Sequence, residues 1–133
     1  LGNEAVLNYS NRLADKCEEE AGKTDDSEYK KELMELAEIC RYVPFHPART
    51  FQEAVQSIFM VLLAVHMESN GHEISLGRFD QYVYPLYKKD IEEGRITKEK
   101  ALEIIECFFI KCNELNKLRS WPDTEFYGIS DVH

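Results

Sequence analysis

Residues 50–68 read TFQEAVQSIFMVLLAVHME and contain the longest apolar run of this 133-residue chain. The run opens with a capping box, because the Thr50 hydroxyl and the Glu53 carboxylate can each accept a hydrogen bond from a backbone N–H that a helix start leaves unpaired. Residues 58–65 are apolar on every side of a helix. We therefore predict a buried helix here, which about four neighbouring helices can cover only in part.

Two amphipathic helices are predicted before this run, over residues 3–21 and 27–42. Gly22 is the expected end of the first helix. The prolines within residues 43–47 break the helical pattern, since each one restricts its predecessor to extended geometry. The apolar positions expected to face the core are Val6, Leu7, Leu13, Ala14 and Cys17 in the first helix and Leu33, Leu36, Ala37 and Cys40 in the second.

After the run, residues 69–78 are predicted to be a loop with glycines at both ends and a brief strand at 73–76. Helical spacing returns over residues 79–93, where Pro85 is expected to kink or divide the helix. Its expected anchors are Tyr82, Tyr84, Leu86 and Tyr87. A last helix is predicted from Thr97 to about residue 118, burying Ala101, Leu102, Ile104, Ile105, Phe108, Phe109 and Leu115.

These patterns predict a mainly α segment of about five helices that occupies residues 1–133 as one unit. Hydrophobic residues make up 44% of the chain and charged residues 31%, as in ordinary globular proteins. The formal net charge of -9 argues against nucleic acid or an anionic membrane surface as partner, because both require a cationic face. The apolar run is about 14 residues, too short to span a bilayer. We expect a cytoplasmic location.

The residues themselves point to no catalytic centre. His66, Glu68, His72 and Glu73 lie close in sequence, but their spacing crosses a predicted helix end, so no metal site is expected. The four cysteines include no C-x-x-C pair and are expected to be free thiols. Arg78, Asp80 and Tyr82 follow a glycine and are candidates for a substrate clamp. The alternative is a simple Arg78–Asp80 ion pair at a helix start, and the ion pair is favoured.

Two strings nevertheless carry a resemblance. Residues 47–54 read PARTFQEA and residues 68–82 read ESNGHEISLGRFDQY, followed by YPLYKKDI at 84–91. In this order they resemble the pyruvate formate-lyase-like glycyl radical enzymes, especially the branch of glycerol and diol dehydratases and choline lyase. The resemblance extends from about Glu4 to Tyr127, which is nearly the whole chain.

The resemblance implies a ten-stranded α/β barrel of several hundred residues, of which this chain would be an internal helical fragment. It also implies anaerobic radical chemistry, as in formate C-acetyltransferase-like lyases and dehydratases. In that family an S-adenosylmethionine-dependent activating enzyme installs a glycyl radical, which generates a thiyl radical on a cysteine. The family's G-C-x-E and R-V-x-G-Y strings do not occur in this chain. We therefore expect no catalytic residue and no cofactor in the chain, and no activity from it alone.

The same resemblance implies which residues contact substrate in the complete enzyme. His72 matches the pocket histidine of the dehydratase branch. Glu73 stands where that branch usually has serine, which argues against a glycerol-like substrate. Ser75 and Asp80 belong to the same motif and are further pocket candidates.

A rival hypothesis is a free-standing helical interaction module that retains this part of the fold without its chemistry. Both readings leave apolar surface to be covered, so the expected partners are a second copy of the chain or the remainder of the parent enzyme. The chain starts with Leu1 rather than methionine, which fits a segment of a longer protein.

Overall fold

The structure, a computed structural model, describes residues 2–69 and 74–115. In this part of the chain it contains five α-helices and no strand, which confirms the prediction of a mainly α segment with about five helices. The helices are α1 Gly2–Ala21, α2 Ser27–Tyr42, α3 Phe51–Ser69, α4 Phe79–Glu92 and α5 Lys98–Glu114.

Side chains and glycines set the helix ends close to the predicted positions. Asp26 caps α2 by accepting from the backbone N–H groups of Glu28 and Tyr29 at 2.9 and 3.1 Å. Thr97 caps α5 by accepting from the Lys100 N–H at 3.2 Å. After α4, Gly94 adopts a φ of 68°, which side-chain-bearing residues rarely take.

Pro85 lies inside α4 without dividing it. Of the two outcomes predicted for this proline, a kinked or a divided helix, the divided helix is wrong. A proline removes one backbone donor from the helical ladder. The residues around Pro85 pack on the core, since Val83 is buried and Leu86 and Tyr87 lie against the same core cluster. Residues 74–76 have no regular structure, so the brief strand predicted there is absent from the described part of that segment.

Helices α1 and α2 form a hairpin that packs on α3 through a small core of Ala14, Ala37, Cys40 and Met60. The buried Ser10 hydroxyl donates to the carbonyl of Cys40 at 2.5 Å, which satisfies a polar group at the hairpin interface. On the surface, Arg41 reaches Asp15 and Glu18 at 2.8 and 2.9 Å. The predicted inner stripe of α2 is confirmed at Ala37 and Cys40.

Helix α3 also packs against α4 and α5. Their shared core is aromatic, with the Phe59 and Phe108 rings edge to face at 6.5 Å and the Phe51 and Tyr87 rings at 5.6 Å. The buried members of this core are Phe51, Ala54, Val55, Val83, Ala101 and Phe108. Helix α3 is therefore the element on which both halves of the structure pack.

Cover of α3 is incomplete, as predicted. Val61 is 49% exposed and Val65 41% exposed.

On α5, Leu102 and Phe109 are more than half exposed, so the prediction that they are buried is wrong. They lie seven residues apart on one side of α5, away from the side that carries Ala101 and Phe108.

The start of α3 is held by a buried carboxylate from α4. Asp90 is 1% exposed and accepts a hydrogen bond from the Phe51 N–H at 2.7 Å. Its other oxygen accepts from the Arg95 guanidinium at 2.9 Å. Asp90 therefore supplies an acceptor for a backbone donor that the first turn of α3 leaves unpaired, and Arg95 balances the charge of the carboxylate.

Replacing Asp90 should weaken the fold more than replacing an exposed aspartate of the same helix. We expect Asp90→Ala to lower the free energy of unfolding by about 2–3 kcal/mol, because the buried Phe51 N–H loses its acceptor and the Arg95 guanidinium keeps only its ion pair with Glu93. The volume-conserving Asp90→Asn should lose about 1 kcal/mol, since its amide oxygen can still accept. Urea unfolding followed by circular dichroism measures both.

The matched control is Asp80→Ala, which removes a carboxylate from the first turn of α4. Asp80 is 71% exposed beside Arg78, so its loss should cost less than about 0.5 kcal/mol. Equal effects at the two aspartates would contradict the anchoring role of Asp90.

The predicted capping box at the start of α3 forms with an added ion pair. The Thr50 hydroxyl accepts from the Glu53 N–H at 3.2 Å. The Glu53 carboxylate accepts from the Arg49 N–H at 2.6 Å and from the Arg49 guanidinium, which lies 3.5 Å over the Tyr42 ring. Burial raises the pKa of Glu53, but these hydrogen bonds outweigh it and hold the pKa below its ordinary value.

The lowered pKa of Glu53 makes its contribution to stability depend on pH. The unfolded chain binds this proton more readily, so the contribution is present above the ordinary pKa of 4.5 and is lost as the pH falls through the folded-state value. We expect Glu53→Gln to destabilise the chain at neutral pH, and the gap to wild type to narrow at about pH 3. Urea unfolding at both pH values measures this gap.

The exposed Glu92 provides the comparison, because its carboxylate is 65% exposed at 3.8 Å from Lys88. Glu92→Gln should change stability at neutral pH by less than about 0.5 kcal/mol. If the difference in unfolding free energy between wild type and Glu53→Gln grew in acid, the expected direction of the pH dependence would be contradicted.

Candidate functional site

The loop before α4 turns on a glycine. Gly77 has a φ of 61°, in the left-handed region that favours glycine. Its N–H donates to the Ser75 hydroxyl at 3.1 Å, which closes a short side-chain turn. The described part of the substrate loop predicted by resemblance, residues 74–78, is thus a defined turn that leads directly into Phe79.

A tyrosine in the first turn of α4 ties this loop to the helix. The Tyr82 hydroxyl donates to the Leu76 carbonyl at 2.9 Å. The Tyr82 ring meets Phe79 edge to face, with centroids 5.8 Å apart. Burial raises the pKa of the Tyr82 phenol, so the hydroxyl is protonated near neutral pH and remains a donor.

An open apolar groove of about 300 Å³ lies between the loop and α3. Helix α3 forms one wall, and the loop with Tyr82 forms the other. The lining residues are Ser57, Ile58, Val61, Leu62, Val65, Ile74, Ser75, Leu76 and Tyr82. None of these carries a charge, and their polar groups are three hydroxyls, so the groove is suited to an uncharged surface with hydrogen-bonding groups.

The structure separates the predicted pocket residues. Ser75 lines the groove. Asp80 does not line it and instead lies 3.3 Å from the Arg78 guanidinium, with both side chains about 70% exposed. This contact is the ion pair that the sequence favoured at the helix start. His72 and Glu73 lie outside the described residues, and the substrate-binding role of all four stays a prediction.

Sequence reasoning placed Tyr82 and Tyr84 among the buried anchors, and this is wrong. They are 49% and 56% exposed, whereas Val83 and Asp90 are buried on the inward side of α4. The helical period explains the difference, since positions beside Val83 must flank the inner side. The groove residues of α3 were also missed as site residues, because an apolar run alone does not reveal which side stays uncovered.

The described residues hold no group of three or more His, Cys, Asp or Glu side chains arranged to bind a metal ion. Their four cysteines are free. Burial, with a smaller effect from Cys17, raises the pKa of Cys40 to about 11, so this thiol stays protonated and unreactive. His66 lies outside the groove lining, with its Nδ1 3.1 Å from the Leu62 carbonyl.

Comparison with known proteins identifies relatives of this segment. The family model described as pyruvate formate lyase-like matches residues 2–131. Isethionate sulfite-lyase of Nitratidesulfovibrio vulgaris is 44% identical over 108 residues, covering 80% of this chain and 13% of that enzyme. (2S)-3-sulfopropanediol dehydratase of Klebsiella oxytoca is 38% identical over 116 residues, covering 87% of this chain and 14% of that enzyme.

Solved structures show the same arrangement of helices. A protein studied for 1,2-propanediol dehydration in Roseburia inulinivorans matches with a TM-score of 0.87 and 47% identity. The glycerol-bound B12-independent glycerol dehydratase of Clostridium butyricum matches with a TM-score of 0.84 and 43% identity. Each match covers 92% of this chain and 15% of the other chain, so the segment spans a small part of those proteins.

Because Gly77 sets the turn of the loop, a side chain there should strain the backbone without a steric clash. A Cβ at Gly77 would meet no atom within 4 Å. We expect Gly77→Ala to cost about 1 kcal/mol and Gly77→Asn less, since asparagine adopts positive φ more readily. Urea unfolding measures the cost, and a larger loss for Asn than for Ala would contradict the conformational explanation.

Proposed function

This chain belongs to the pyruvate formate lyase-like family, and from that premise we propose that it forms the substrate-loop segment of a glycyl radical lyase or dehydratase. The family match bears out the resemblance carried by residues 47–54 and 68–82. The five helices are a fragment of the much larger barrel enzymes that match it. The observation that carries the proposal is the close structural match, over most of the chain, to a protein studied for 1,2-propanediol dehydration and to a glycerol dehydratase.

The chemistry proposed for the complete enzyme divides between this segment and the rest of the protein. A glycyl radical, installed by an S-adenosylmethionine-dependent activating enzyme, would supply the hydrogen abstraction. The strings that carry the radical glycine and the thiyl cysteine do not occur in this sequence. The task left for this segment is to bind the substrate, orient it and exclude water at one wall of the pocket.

A small hydroxylated molecule is the proposed substrate class. The relatives are named for isethionate, sulfopropanediol, 1,2-propanediol and glycerol, all of them small polar molecules. In this chain Ser75 belongs to the loop, and its side chain lines the groove. Together with His72, Glu73 and Asp80 it forms the proposed substrate-binding set. Glu73 in place of serine is the feature we expect to separate its substrate from glycerol.

Exposed apolar side chains favour a second candidate, an interaction module that works without chemistry. Phe45, Val61 and Val65 line a second groove of about 490 Å³ between α1 and α3. Such a surface needs cover, either from the remainder of the enzyme or from a second copy of the chain. Light scattering of the chain distinguishes the two, because a stable dimer favours the module and an aggregate favours an excised segment.

No helix among the described residues is long and apolar enough to cross a membrane. We propose a cytoplasmic location for the enzyme, supported by the net charge of -9, which disfavours an anionic membrane surface as partner.

The proposal is tested by placing this chain in a working enzyme. The chimera replaces the matched segment of the Roseburia inulinivorans protein with this chain and is activated without oxygen. We expect a glycyl radical signal by electron paramagnetic resonance and turnover of a small diol. Because Glu73 replaces a hydroxyl, kcat/KM for 1,2-propanediol should fall about tenfold or more, and Glu73→Ser should restore most of it.

The control is Glu68→Ser, which removes an exposed carboxylate at the end of α3. This change should leave kcat/KM unaltered. A chimera that carries the radical but turns over no diol, even with Glu73→Ser, would contradict the proposed function.

A further inference from the structure

We propose that Tyr82 is a positioning residue, which holds the substrate loop in place and thereby sets the affinity for substrate rather than the rate of turnover. This inference rests on the proposed function. Tyr82 makes no side-chain hydrogen bond to Ser75 or Asp80, and it acts on Ser75 through the backbone of the neighbouring Leu76.

The first support is the hydrogen bond between helix and loop. Residues 74–77 have no helical or strand structure to fix their backbone. The Ser75–Gly77 bond closes the turn only locally. The bond from the Tyr82 hydroxyl to the Leu76 carbonyl, 2.9 Å long, joins this turn to α4. It holds the backbone at the residue between Ser75 and Gly77.

The second support is the rigid mounting of the Tyr82 ring. Its edge contacts Phe79, and Phe79 stacks on Phe108 with centroids 5.1 Å apart and planes 8° from parallel. Phe108 is a buried member of the core. Two aromatic contacts therefore connect the Tyr82 ring to the hydrophobic core and fix the position of its hydroxyl, although the hydroxyl itself lies near the surface.

The third support is the place of the bond in the groove. Tyr82, Leu76 and Ser75 line the same wall, opposite Val61 and Val65 of α3. A shift of the Leu76 carbonyl would move Ser75, its direct neighbour, relative to that opposite wall. A wall that contacts substrate equally before and during the reaction contributes uniform binding, so its loss raises KM and leaves kcat largely unchanged.

The test uses Tyr82→Phe in the activated chimera, because this change keeps the ring and removes only the hydroxyl. We expect KM for the diol to rise about three- to tenfold and kcat to change less than about twofold. The matched control is Tyr84→Phe, whose ring contacts Tyr87 on another side of α4 at 6.2 Å and does not line the groove. It should leave both constants unchanged.

Hydrogen exchange gives an independent readout on the same proteins. Peptides that contain residues 74–78 should exchange several-fold faster in Tyr82→Phe than in the parent or in Tyr84→Phe. Unchanged KM and unchanged exchange would overturn the inference. So would a parallel loss of kcat and thermal stability, which indicates a structural role only. A chimera inactive with Tyr82 intact speaks against the proposed function instead, and the exchange comparison still decides whether Tyr82 holds the loop.

Discussion

Helix α3 has almost no polar side chain along its centre, and the rest of the structure is arranged to cover it. The α1–α2 hairpin covers one side through Met60, and α4 and α5 cover others through Phe51, Val55 and Phe59. Apolar cover alone would allow these elements to slide, because the hydrophobic effect has no direction. The buried Asp90 removes that freedom, since its bond to the Phe51 N–H fixes where along α3 the end of α4 must lie.

Much of this fold could be predicted from local signals. Apolar spacing indicated five helices, and Gly22, Thr50 and Thr97 marked ends that the structure reproduces. The Asp90 anchor could not be predicted, because 39 residues separate it from Phe51 and its neighbours Lys88 and Lys89 make it read as part of a solvated surface. Which apolar residues stay exposed was also beyond prediction, since exposure depends on how many neighbours arrive, and spacing does not report that.

The candidate site was predictable only through resemblance. Composition and spacing led to a helical domain without a catalytic motif, and the string ESNGHEISLGRFDQY supplied the substrate loop. The structure added the contacts that each of these side chains makes, which a sequence string does not show. In the structure the Asp80 carboxylate pairs with Arg78, and Ser75 lines the groove. The Tyr82 hydroxyl donates a hydrogen bond to the Leu76 carbonyl of the loop. The sequence placed Tyr82 in a candidate clamp with Arg78 and Asp80 as well as among the core anchors. Its hydrogen bond to the Leu76 carbonyl escaped prediction, because it depends on how the loop folds back on α4.

These features join through α4, which runs antiparallel to α3 and is attached at both ends. Near its C-terminus Asp90 holds the first residue of α3, and near its N-terminus Tyr82 holds the loop beside Val61 and Val65. The 14 residues of α4 span about 20 Å, a distance that a helix keeps nearly constant. The Asp90 carboxylate, which fixes α4 against the start of α3, therefore also determines how far along α3 the loop lies. The described loop residues 74–78 have no regular structure of their own and thus take their position from the hydrophobic core through α4. This explains how a turn of a few residues can hold one defined wall of the groove.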